Sequence, residues 1–72
     1  MHDLNTIRRL NAEAHADSIN RVRAKGRFVV ADYAGLTLMS YRSFEERPHA
    51  EAALAEPLEG SEHRKLFEPL PA

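Results

Sequence analysis

The chain has no cysteine and no tryptophan, only three glycines, and no large excess of either charge. Each shortage removes something. Without cysteine there is no disulfide framework and no thiolate zinc site. Gly26, Gly35 and Gly60 lie too far apart to build a glycine-rich phosphate loop. No apolar run exceeds four residues, Phe28–Ala31 being typical, against the roughly 20 that span a bilayer. The opening MHDLNTIRRL is charged where a secretory leader needs an apolar centre. A soluble, cytoplasmic protein with no membrane partner is the expectation.

What is present is 72 residues, read as one small domain with 69–72 as a short C-terminal tail. A domain of that size buries only about 60% of its unfolded surface. A single core then gives roughly 3–5 kcal/mol unless something else adds to it. A second subunit is one such addition, and a homo-oligomer is expected.

Charge is uneven along the chain. Residues 1–30 hold six Arg/Lys against Asp3, Glu13 and Asp17, whereas residues 31–72 hold eight acids against Arg42, Arg47, Arg64 and Lys65. That is +3 against −4, summing to the formal −1. Such a division suits two halves that attract each other on folding. It also suits a basic face for nucleic acid, made of Arg8, Arg9, Arg21, Arg23, Lys25 and Arg27. Glu13 and Asp17 interleave with those cations, and by helical phase the arginines do not form one stripe, which weakens the second use.

The periodicity predicts a helix over residues 4–25. Leu4, Ile7, Leu10, Ala14, Ser18 and Val22 recur at three- and four-residue spacing. Asp3 or Asn5 can cap its start, and Gly26 can end it in the left-handed conformation. KGRFVVADYAGLTLMSY follows, two β-rich runs around DYAG, and reads as a hairpin. A three-residue loop would pair Asp32 with Leu36, Val30 with Leu38 and Phe28 with Ser40. Phe28, Val30, Leu36 and Leu38 would share one face, and Val29, Ala31, Thr37, Met39 and Tyr41 the other. A two-residue Ala34–Gly35 loop would mix the sets and leave both faces largely apolar.

SFEERPHAEAALAEPLEG reads as a second helix. Either it starts near Ser43, with Glu46 completing a capping box, or it runs from Pro48 to Glu56. Residues 63–68 can add a third strand, stopped by Pro69 and Pro71. The fold class expected is a small α+β domain of order α-β-β-α-(β), with helices on a two- or three-stranded antiparallel sheet.

Chemical motifs are few. There is no G-x-S-x-G and no H-E-x-x-H. His49–Glu51 matches the opening of a zinc-deaminase signature whose cysteines are missing. His2, His15, His49 and His63 have no metal-pair spacing. Glu45 and Glu46 are adjacent and point apart, and Glu62–His63 reads as loop or strand-edge polarity. Lys25–Asp32 departs from the first ribonucleoprotein motif of RNA-recognition domains at Arg27, Phe28 and Asp32, so no such domain is read from it. No metal, cofactor or catalytic residue is assigned, and an enzyme is not expected.

Two short helices laid on one sheet face would leave the other in water, where an apolar patch marks an interface. Val29, Thr37, Met39 and Tyr41 are the residues expected to bind a protein partner. The function expected is a small inhibitor or adaptor, in the manner of phage and plasmid accessory proteins that block a host machine. The alternative is a nucleic-acid-binding regulator using the basic N-terminal helix and the start of the hairpin.

Overall fold

The computed structural model describes residues 15–71. The proposed helix caps at Asp3 and Asn5, and Arg8 and Arg9, lie outside them. Helix α1 covers residues 15–23 and closes in a turn at Gly26, whose φ of +83° is the left-handed value that glycine adopts without strain. Strands β1 (Phe28–Ala34) and β2 (Thr37–Phe44), helix α2 (Arg47–Leu54) and strand β3 (His63–Phe67) follow. The order is the expected α-β-β-α-β. The sheet is antiparallel with β1 in the centre, β2-β1-β3.

The hairpin loop ends one residue later than in either sequence-based register. Ala34 pairs with Thr37, leaving Gly35 and Leu36 as a two-residue loop. Gly35 has φ +62° at the first loop position, where a II′-type hairpin turn takes glycine. Its amide donates to a Glu62 carboxylate oxygen at 2.9 Å, and the Glu62 amide donates to the Tyr33 carbonyl at 2.7 Å. The approach to β3 thus ties down the turn.

A register shift then falls between Asp32 and Tyr33, which face Ser40 and Leu38. Met39 is the extra residue, as in a β-bulge. Beyond it Ala31 faces Tyr41, Val30 faces Arg42 and Phe28 faces Phe44. The expected pairs of Asp32 with Leu36, Val30 with Leu38 and Phe28 with Ser40 are therefore replaced. Leu38 moves to the face of Val29, Ala31 and Tyr33.

Both faces of the sheet are covered, which corrects the expectation of one left open. On one face Ile19 of α1 packs on Val29 and Ala31, flanked by Val22, Tyr33, Leu38 and Phe67. On the other, Ala50 and Ala53 of α2 pack on Val30, flanked by Phe28, Phe44 and Leu66. The two helices take opposite faces. Ile19 is the buried residue of α1, at 3% exposure, although the sequence stripe ran through its neighbours Ser18 and Val22. Six apolar residues are buried among the described ones, and three of them are alanines.

Helix α2 starts at Arg47, with Pro48 in its first turn and no side-chain cap from Glu46. There proline's missing N–H costs nothing. The Ser43 capping box does not form. Ser43 lies in β2, where its hydroxyl accepts from Arg27 Nε at 3.0 Å. The tail is tied down as well: the Leu70 amide donates to the Arg23 carbonyl at 3.1 Å, and Arg23 Nε donates to the Glu68 carbonyl at 2.6 Å.

Candidate protein-binding edge

Strand β2 is the least covered part of the sheet. It has β1 on one side, and no strand pairs with its outer edge among the described residues. None of its eight residues is buried. β1, in contrast, buries Val29, Val30 and Ala31. Exposure gathers at Leu36 of the turn (86%), Met39 (55%) and Tyr41 (41%), with Thr37 also exposed.

Of the four residues expected at an interface, Thr37, Met39 and Tyr41 thus lie together on one exposed strand. Val29 does not join them. It sits in the central strand under Ile19 with no exposed surface and cannot touch a partner. The three-residue-loop register read from sequence put it on the same face as Tyr41 but did not show which strand would be central.

Open sheet edges are templates for further strand pairing, and proteins usually guard them with Lys, Pro or a shortened strand. β3 is guarded: it is five residues long, carries Arg64 and Lys65, and Pro69 follows shortly after. β2 has eight residues, no Lys and no Pro. Its one charge, Arg42, is held by Glu56 at 2.5 Å. The hydrogen bond and the charge of Arg42 hold the Glu56 carboxyl below the ordinary carboxylate range. β3 is guarded by its short length and its charges, whereas β2 carries only the bulge at Met39 and the paired Arg42.

A charged groove of about 390 Å³ lies beside β2, lined by Asp32, Arg42, Glu56, Pro57, Glu59 and Arg64. Its groups are largely engaged with one another. Arg64 on β3 stands directly opposite Asp32 on β1 and donates through Nε and Nη2 to the two carboxylate oxygens. Its Nη1 donates to the Ala53 carbonyl at 2.9 Å and the Glu56 carbonyl at 2.6 Å, at the end of α2. The hydrogen bond that Arg64 donates to Asp32 depresses the Asp32 pKa and raises that of Arg64. A carboxylate so committed is a poor general base. Sequence reading counted Arg64 only as charge, because its partner lies on a strand distant in the chain.

On the α1 face, His63 stacks on Tyr33 with centroids 5.3 Å apart and planes 10° from parallel. Lys65 Nζ lies 5.7 Å from the centre of the same ring. Burial pushes the Tyr33 phenol up from its ordinary value.

Of the cations of the nucleic-acid alternative that are described, two are engaged within the chain. Arg23 is spent on Asn20 and the Glu68 carbonyl and lies over Phe67. Arg27 is spent on Ser43 and Glu45. Arg21 and Lys25 are exposed and make no ion pair among the described residues. Arg27–Glu45 is also the one side-chain ion pair that joins the basic and acidic halves among the described residues. Among the described residues, attraction between the halves is thus carried by a single ion pair.

No family model, curated protein or solved structure matches the chain.

Proposed function

We propose that this chain is a small non-enzymatic protein that works by binding another protein, as an inhibitor or adaptor, and that the outer edge of β2 is its binding surface. The observation that carries the reading is an eight-residue edge strand without Lys or Pro, with Met39 and Tyr41 exposed on it and Leu36 exposed at its turn. Strand addition at such an edge draws affinity from main-chain hydrogen bonds and specificity from alternate side chains. The engagement of Asp32, Glu56, Arg42 and Arg64 with one another supports a structural role for the groove rather than a catalytic one.

The test is affinity capture from nuclease-treated lysate of the native host, with the wild type and a Met39→Lys/Tyr41→Lys variant run in parallel. Two charges on the edge should abolish retention of a protein that the wild type holds. Retention of the same protein by both would place binding elsewhere. Capture of nucleic acid alone from untreated lysate would favour the basic N-terminal helix.

A further inference from the structure

The reading of β2 as a binding edge raises the question of what it meets, and the strand's own sequence points to a second copy of the chain. Consider two β2 strands paired antiparallel about a two-fold axis normal to the sheet. Each residue then lies opposite the one equally far beyond the axis. Opposed residues share a face, so the axis must pass through a residue. An axis at Arg42 sets two guanidinium groups against each other, a destabilising like-charge pair. An axis at Ser40 puts Met39, the extra residue at the register shift, directly beside the axis and opposite the other copy's Tyr41, where a bulge disrupts the centre of the ladder.

An axis at Tyr41 avoids the like charges and moves Met39 from beside the axis toward the end of the ladder. Arg42 of each copy then faces Ser40 of the other, Met39 faces Ser43, and Tyr41 faces its own counterpart. Because Glu56 of the same chain holds Arg42, the strand meets itself without opposed charges. Tyr41 lies on the α1 face, opposite Ala31 in the register, and 41% of it is exposed. Aromatic pairs directly across strands are among the favourable ones. Among the described residues, three of the six buried apolar ones are alanines, which leaves their core small.

We infer that the chain self-associates as a two-fold dimer through β2, with Tyr41 at the axis, joining two three-stranded sheets into one of order β3-β1-β2-β2-β1-β3. This rests on the reading of β2 as a protein-binding edge and names its first occupant.

The chain has no cysteine, so Tyr41→Cys introduces a single thiol. In the dimer the two sulfurs lie within disulfide reach after a small shift, because opposed Cβ atoms are about 4.5–5.5 Å apart and a disulfide needs about 3.5–4.5 Å. Mild oxidation should give at least ~10-fold more covalent dimer from Tyr41→Cys than from Leu58→Cys, a loop position outside the proposed contact. Sedimentation should show a dimer for the wild type and a monomer with an unchanged circular dichroism spectrum for Tyr41→Lys. Equal cross-linking at the two positions, or a wild-type monomer at 100 μM, would overturn the inference. If that monomer still retains a protein from lysate that the double-lysine variant loses, self-pairing alone falls. If the variant retains it too, the protein-binding reading of β2 falls with it.

Discussion

Arg64 and Asp32 face each other across the β1–β3 ladder, and the guanidinium that closes both carboxylate oxygens also holds two carbonyls at the end of α2. One side chain thereby joins the central strand, an edge strand and a helix. Removing it strands a carboxylate and two carbonyl groups together. Arg64→Ala should lower the thermal midpoint by at least ~5 °C, read by circular dichroism. Arg64→Lys should recover only part of it, since an ammonium cannot reproduce the fork. An unchanged midpoint in Arg64→Ala would show that this contact does not hold α2.

The same pair contributes to the loss of stability in acid. Folding depresses the Asp32 pKa below its ordinary value of 3.8. The stabilisation is therefore fully present above that value and is lost as pH falls through the depressed folded one. Urea midpoints measured from about pH 7 down to about pH 2.5 should decline below about pH 4. Asp32→Asn should start lower and decline less steeply. Parallel decline in the two proteins would assign acid sensitivity to other carboxylates.

Alanine is what lets α2 approach its face of the sheet. Ala50 has no exposed surface and Ala53 has 4%, both against Val30. Enlarging either to Leu should cost about 1–3 kcal/mol through overpacking, measured by urea denaturation. Ala52→Leu, on the exposed side of the same helix, should be nearly neutral. Equal costs at Ala50 and Ala52 would mean that the helix is not seated through Ala50.

Folding and association should separate by strand. Val30→Ala removes a side chain that is 2% exposed and should cost roughly 1.5–3 kcal/mol, somewhat below a typical Leu truncation. Tyr41→Ala should leave the melting of dilute protein within ~2 °C of wild type, as surface substitutions usually do, while weakening association. A Tyr41→Ala chain that unfolds when dilute would place Tyr41 in the core.

Element order was legible because the signals were local. The aromatic and β-branched run at Phe28–Val30, the left-handed Gly26 and the proline in the first turn of α2 each act within a few residues. Register was not, because it turned on whether Gly35 stood first or last in its loop, and one residue of slip exchanges the faces. Leu38 changed sides for that reason. Ile19 was missed because Ser18 and Val22 continued the three- and four-residue spacing equally well. The exposed strand was half legible: Thr37, Met39 and Tyr41 were read together, but Val29 was included because nothing local told which strand would be central. Arg64 needed β3 to be placed beside β1 before its partner could be seen.

The most direct test of the edge is amide hydrogen exchange in purified protein at two concentrations. Outward-pointing amides of β2 between residues 39 and 43 should exchange quickly near 0.5 μM and gain at least ~10-fold protection near 100 μM as they enter a new ladder. Amides on the outer edge of β3 should not change. Protection that is independent of concentration along β2, or that appears on β3 instead, would contradict an edge that meets its own copy.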